Sequence, residues 1–335
     1  MTRALFLDET GIERRGVVTL DGRPERLLLE RAGEPASLEV GQRLQARLVR
    51  REAGLGLTFL AGMGDEPLVC RERLDAAEGE TLSMAVVAPP RRDKAAVVRP
   101  VADADVAVLS LEARLAAFAP GLAITRGAEA QTVADEAEAE ALAVEHPLPG
   151  GARLFIEPTH ALIAVDVDVG GAGGFDPKRS ASRVNLTAIN ATARLLRLKG
   201  LGGLVAIDLA GKGGDGKALL EAARRAFAPD EPGVSFGALS RFGVLELALP
   251  WRTTPLAERL CEASGAPTPR TLAYRLMRLI EREAGPGARV IARCAPGVAD
   301  LAVALAPHLA QRIGARFGIE AASDFARDQM EVFRP

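Results

Sequence analysis

The sequence predicts a multi-domain α/β protein with a small β-barrel in its first third. Three observations predict it. A chain of 335 residues exceeds one average domain and is long enough for two or three. Five short alternating segments crowd into about 60 residues after Leu38, a density that fits a small barrel. After Gly151 the texture changes to apolar strands alternating with amphipathic helices, the pattern of an α/β sheet.

Taken in order, residues 1 to about 36 alternate apolar and polar positions around Gly11, Gly16 and Asp21-Gly22, which reads as short strands. Strands are expected at 41–50, 55–61, 67–70, 82–88 and 95–99; the OB type is the commonest barrel of that size. Residues 89–94 (PPRRDK) form a charged turn within or at the end of the barrel. Helical periodicity covers 104–118 and 132–146. The second helix carries Asp135, Glu136, Glu138, Glu140 and Glu145, which reads as a solvated acidic face. Pro147 and Pro149-Gly150-Gly151 mark a boundary. Strands at 153–157 and 161–167 follow, then a helix at 179–199 closed by Gly200, a strand at 203–209, a helix at 217–227 and a strand at 244–249. Residues 255–270 are Pro-rich and polar, a linker pattern. The tail reads as helix 271–283, strand 289–293, helix 298–313 and a last strand, an α/β unit of its own.

Hydrophobic residues make up 48% and charged residues 26%, which excludes disordered, collagen-like and disulfide-rich classes. The net charge of −2 excludes a wholly basic nucleic-acid binder but leaves room for a local basic groove. Only five of the 42 basic residues are Lys, a skew read as coding bias. Cys70, Cys261 and Cys294 are sparse and without CxxC spacing, pointing to a reducing compartment and away from structural zinc. The first residues lack the apolar run of a signal peptide, and no stretch approaches 18 uninterrupted apolar residues. A cytoplasmic protein with no membrane partner is the expectation. His146 and His308 read as surface residues, and His160 as structural.

Two aspartates stand out. Asp166 and Asp208 each come near the end of an apolar strand, and strands side by side would bring both carboxylates to one sheet edge, where α/β sites lie. Two oxygen ligands there suit Mg²⁺, which keeps several waters and takes few protein carboxylates. The bland alternative is a pair of strand-end aspartates capping turns. Asp168, two residues on, points to the same face as Asp166. Residues 211–218 (GKGGDGKA) match the phosphate loop GxxxxGK[ST] except at Ala218, where the Mg²⁺-binding hydroxyl would stand. A loop contacting nucleic-acid phosphates through backbone N–H groups, Lys212 and Lys217 fits better than an NTPase. Residues 170–174 (GGAGG) lack the spacing of a dinucleotide fingerprint and read as a flexible loop beside Asp166.

Residues 155–168 (FIEPTHALIAVDVD) are similar to the ribonuclease E/G family strand I-x-x-T-x-A-L-x-x-I-D-[IV]-N. Asn185-Leu186 with 194–208 (RLLRLKGLGGLVAID), then 240–246 (SRFGVLE) and Asp328-Gln329-Met330, resemble further family motifs in the family's order, over most of 147–335. The resemblance implies an endoribonuclease cutting single-stranded RNA, with its two metal-binding aspartates at Asp166 and Asp208. Bound Mg²⁺ would activate a water and neutralise charge at the scissile phosphate. It also implies an OB-type RNA-binding barrel (38–100) inserted in a shortened RNase H-like region (1–37 and 101–149). A DNase I-like catalytic domain (150–254), a linker (255–270) and a small C-terminal α/β domain (271–335) would follow. Asn185, Arg194 and Arg241 become candidates for phosphate contact or site support. Phe59 would match one stacking aromatic of the barrel, its companion falling near Leu68 or Val69.

The sequence departs from the family pattern in four places. Asp168 replaces an Asn. Only Cys261 survives where a CPxC zinc link is expected, so any homo-oligomer would lack that link. About 50 residues between barrel and Gly150 leave no room for a 5′-monophosphate pocket. After Glu246 the family's basic run is replaced by residues 247–252 (LALPWR). The rival to a nuclease is therefore a diverged RNA-binding paralogue with little activity.

Overall fold

The computed structural model describes all residues except 1, 36, 63, 93, 103–108, 173–176, 212–214 and 286–288, with the side chains of 172 and 177–179 also left aside. Three alternating segments near the start pair as the antiparallel strands β1 (Arg3–Glu9), β2 (Glu13–Leu20) and β3 (Arg23–Arg31). Next, β4 (Arg43–Glu52), β5 (Leu57–Ala61), β6 (Pro67–Cys70), β7 (Thr81–Ala88) and β8 (Ala96–Pro100) close into a five-stranded barrel in the order β4-β5-β6-β8-β7. Its inward positions, among them Leu48, Leu60, Leu68, Met84 and Val98, form their own buried core.

Helix α1 (Leu111–Phe118) starts at Ser110, whose hydroxyl accepts from the Ala113 N–H, and buries Leu111 and Leu115 against the outer face of the first sheet. Gly16 lies so close to Leu115 that a Cβ there would stand 2.9 Å from its side chain. Strand β9 (Ile124–Thr125) adds to β1 in parallel, and α2 (Ala128–Leu142) follows. Helical structure thus begins four residues before the expected position, and the end of that stretch is instead the strand β10 (Glu145–Pro147).

The central sheet continues with β11 (Arg153–Pro158) and β12 (Ile163–Asp168), then helix α3 (Pro177–Lys199), β13 (Gly203–Asp208), α4 (Gly216–Phe227), β14 (Ser235–Phe236) and β15 (Val244–Leu249). Its strand order is β10-β11-β12-β13-β15-β14. Only β12 and β13 are parallel within it, joined over the face by α3. Gly200, at φ +71°, ends α3 as expected, with Arg197 and Lys199 in the basic last turn. The first sheet contributes Phe6, Val17, Leu27 and Leu29 to the same core as α2, α3 and the central sheet. The two helices are thus sandwiched between two sheets, and each buried aliphatic side chain contributes about 1.5–3 kcal/mol.

Residues 255–270, read as a linker, contain helix α5 (Leu256–Leu260), whose Leu256 and Leu260 are buried in the main core. Beyond it, α6 (Pro269–Glu283), β16 (Val290–Cys294), α7 (Pro296–Ile313), β17 (Phe317–Ala321) and β18 (Met330–Phe333) build a three-stranded sheet covered by two helices with a separate core.

The acidic face of α2 is not solvated. Glu138 is 4% exposed and accepts from Arg15, Arg275 and Arg278, while Asp135 pairs with Arg15 and Arg282. Five guanidiniums (Arg15, Arg31, Arg275, Arg278, Arg282) share the four carboxylates Asp8, Glu13, Asp135 and Glu138. The network ties β1–β3, α2 and α6 together. A charge run read along one helix cannot reveal that its counter-ions arrive from more than a hundred residues away. His146, read as a surface residue, is likewise 3% exposed, and its Nε2 is buried without a hydrogen-bond partner.

Candidate active site

Period-two alternation builds the site. On β12, Ile163, Val165 and Val167 point into the core, leaving Ala164, Asp166 and Asp168 on the other face. On β13, Val205 and Ile207 are buried, leaving Leu204, Ala206 and Asp208 outward. The parallel register pairs Asp166 directly with Asp208. Their Cα atoms are therefore roughly 4.8 Å apart, the spacing of neighbouring strands. Both are exposed, and among the described residues neither carboxylate has a hydrogen-bond or ion-pair partner. The apolar residues that make these strands look buried serve one face, and the carboxylates escape the burial cost on the other.

The same row continues across the sheet as Phe155, Asp166, Asp208 and Val244. The next row reads Glu157, Ala164, Ala206 and Glu246. Asp168 is held differently from the pair. The Arg153 guanidinium donates to it at 2.6 Å and the Gly170 N–H at 2.8 Å. The Gly170 N–H and then Arg153 hold its pKa below the usual aspartate value. Its charge is thus spent on Arg153, whereas Asp166 and Asp208 have no partner among the described residues. Two unpartnered carboxylates facing solvent in register are a donor set that fits Mg²⁺, which needs only one or two. No cluster of three or more His, Cys, Asp or Glu at metal-binding spacing occurs among the described residues.

Asn185 lies beneath this edge. It is 1% exposed, its amide donating to the Ala210 carbonyl at 3.1 Å and accepting the Ala210 N–H at 2.9 Å. It clamps the chain two residues after Asp208, so of the two expected roles the geometry leaves support. Arg194 is buried as well, on the far side of α3, bidentate to Glu140 at 2.6 and 2.9 Å and bonded to the Pro24 carbonyl. It does not reach the aspartates.

Lys217 is exposed in the first turn of α4. The Asp215 carboxylate already caps that turn, accepting from the N–H groups of Lys217 and Ala218. A phosphate loop would offer those donors to an anion, so the NTPase resemblance loses its chemistry. Lys212 lies outside the described residues. Arg241 is exposed at the tip of the β14–β15 connection, its guanidinium 4.6 Å from the Phe242 ring centre. Phe59 lies on the barrel under Arg50, 4.4 Å from it, and pairs across the ladder with Val69. The sequence reading missed Phe155, Arg153, Phe242 and Glu246. For three of them the signal was parity: positions 153, 155 and 246 share the outward face once strand register is known, whereas Phe242 lies in the turn before β15.

Residues 126–249 match the model of the Ribonuclease E/G family. This segment is similar to that family over a little more than a third of the chain. It takes in α2, α3, α4 and the whole central sheet, beginning before the expected 147 and ending at Leu249. The resemblance seen at Asp328-Gln329-Met330 lies beyond it. Ribonuclease E of Escherichia coli (strain K12) is 35% identical over 147 residues, 41% of this chain and 14% of that protein. Ribonuclease E of Buchnera aphidicola subsp. Acyrthosiphon pisum is 32% identical over 147 residues, 41% of this chain and 16% of that protein. Ribonuclease G of Escherichia coli (strain K12) is 28% identical over 166 residues, 46% of this chain and 34% of that protein. The chain thus matches from about a seventh to a third of the length of these relatives. The matched segment contains both Asp166 and Asp208, the barrel precedes it, and no helix among the described residues is long and apolar enough to cross a membrane.

Proposed function

We propose that the chain is a Mg²⁺-dependent endoribonuclease acting on single-stranded RNA. The observation that carries this reading is the direct register of two solvent-facing carboxylates, Asp166 and Asp208, unpartnered among the described residues and inside the segment that matches the ribonuclease E/G family. Asp166 and Asp208 would hold the cation. When bound, it supplies charge neutralisation at the phosphate and activation of a water. The chain's own residues explain why a cation is needed. Glu157, Asp166, Asp168, Asp208 and Glu246 share one face against Arg153 and the neighbouring Arg241, a balance that repels a phosphodiester. Asn185 fixes the chain after Asp208, and Arg153 restrains Asp168.

The five-stranded barrel is read as an OB-type RNA-binding unit, with Phe59 offering one stacking surface. The first sheet with α1 and α2 is read as the shortened RNase H-like region, and the central sheet with α3 and α4 as a DNase I-like catalytic domain. Lys217 and Lys212 would contact RNA phosphates. A cytoplasmic location and self-association without a zinc link complete the proposal. One observation favours the rival, an RNA-binding paralogue: Asp168 stands where the family carries Asn, and its oxygens are occupied by Arg153 and Gly170. Incubation of the purified protein with a 5′-labelled single-stranded RNA in Mg²⁺ and in EDTA separates the two. Cleavage in Mg²⁺ alone supports the nuclease; tight binding without cleavage supports the paralogue.

A further inference from the structure

Each side of the aspartate pair carries an arginine laid over a phenylalanine. On β11, Phe155 stands directly opposite Asp166, with the Arg153 guanidinium 5.6 Å from its ring centre. On the other side, Val244 stands opposite Asp208, and the chain just before it presents Phe242 with Arg241 at 4.6 Å. Phe242 is 72% exposed. A single exposed apolar ring is ordinary, but this one is held in place. Ser240 Oγ accepts the N–H groups of Phe242 and Val244 at 3.3 and 3.1 Å, and the Gly243 N–H donates to the Ser240 carbonyl at 3.1 Å. The Leu209 N–H donates to the Gly243 carbonyl at 3.3 Å, which locks the tip to the residue after Asp208.

We infer that Phe155 and Phe242 are stacking platforms for the nucleobases on the two sides of the phosphate that sits over Asp166 and Asp208. Strands β11 to β15 span three inter-strand spacings, roughly 14 Å, so the two platforms flank the pair without covering it. A ring face accepts any base, because every base has a π-face. Arg241 has no carboxylate partner among the described residues, so its charge is free for the backbone beside the stacked base. Arg153 is shared with Asp168, which makes the Phe155 side the weaker anchor. The platforms therefore give grip that needs bases but not a particular sequence, whereas a purely electrostatic surface would grip an abasic strand equally well. This inference rests on the nuclease reading for what lies between the platforms, not for the stacking itself.

The test is equilibrium binding of a fluorescein-labelled 2′-O-methyl RNA 12-mer, which resists cleavage, in Mg²⁺ by anisotropy. The comparison strand has the same length and charge but abasic central positions. Phe242→Ala is expected to weaken binding of the base-bearing strand about tenfold and to leave the abasic strand unchanged, while Phe242→Trp restores wild-type binding. Phe155→Leu is expected to act in the same direction by a smaller factor. Equal affinity of wild type and Phe242→Ala for the base-bearing strand overturns the inference, as does an equal loss on both strands. Failure of the wild-type protein to bind either strand overturns it as well. If stacking is seen but ordinary RNA is not cut, the nuclease reading fails and the platforms stand. If RNA is cut and Phe242→Ala binds as wild type, the platforms fail and the nuclease stands.

Discussion

Glu138→Gln tests whether the buried charge network holds the molecule together. The substitution keeps the side-chain shape but removes one of the four carboxylates that serve five guanidiniums. Arg15 keeps Asp8 and Asp135, and Arg278 keeps Glu13. Arg275 has Glu138 alone as its ion-pair partner among the described residues, but it is 28% exposed and can turn toward water. Breaking a buried ion pair by removing one partner costs about 3–5 kcal/mol. The surviving partners place this case at the lower end, about 3 kcal/mol, which lowers the melting temperature by roughly 5 °C for a chain of this size. Urea unfolding followed by Trp251 fluorescence and a calorimetric scan read both quantities. The sign of the pH dependence follows from the same groups. Burial opposes ionisation of Glu138, but Arg278, Arg275 and Arg15 outweigh it and hold its pKa below the ordinary 4.5. Its contribution is therefore present above about pH 4.5 and is lost as pH falls below that value, and the variant should lose less stability there than wild type. A variant within 0.5 kcal/mol of wild type at pH 7 would refute the reasoning.

His146 has its pKa pushed down to about 4 by burial, with Lys199 adding to the effect. The unfolded chain then takes up a proton that the folded one refuses, so stability drops as pH falls from about 6.5 toward 4, and His146→Phe should flatten that slope between pH 6.5 and 5. Asn185→Leu removes both bonds to Ala210, leaves buried backbone groups unpaired and should cost about 2 kcal/mol; an unchanged melting temperature would count against the clamp. Cleavage should be indifferent to the 5′ end of the RNA, and binding should weaken steeply with salt, because phosphate contacts add to base stacking in the grip. A 5′-monophosphate preference of about tenfold, roughly 1.4 kcal/mol, would reveal a sensing pocket.

Strands were the most legible part of the molecule. The barrel strands were placed within two residues because each is bounded by turn residues and alternates with period two. Asp166 and Asp208 stood out because an aspartate ending an apolar run is conspicuous in one dimension. Their register, their exposure and the row they share with Phe155 and Val244 depend on pairing across 42 residues of sequence, which no local pattern encodes. Helix α2 misled for the complementary reason: Glu138 and Asp135 have the composition of a solvated face, and only the arrival of Arg275, Arg278 and Arg282 from α6 buries them. Residues 255–270 misled because Pro and polar residues dominate them, while Leu256 and Leu260 are enough to pin the segment to the core.

The central claim is that Asp166 and Asp208 form one cation-dependent cleavage site, and it is tested most directly by single-turnover cleavage of a 5′-fluorescein single-stranded RNA. Wild type, Asp166→Asn and Asp208→Asn are compared in Mg²⁺ and in EDTA, with circular dichroism confirming that each variant is folded. The account predicts cleavage by wild type in Mg²⁺, none in EDTA, and a loss of at least a hundredfold, about 2.7 kcal/mol of transition-state stabilisation, in either variant. Removal of one carboxylate also relieves like-charge repulsion, so neither variant should melt below wild type in EDTA. Cleavage at the wild-type rate by either folded variant, or cleavage by wild type that persists in EDTA, would contradict it.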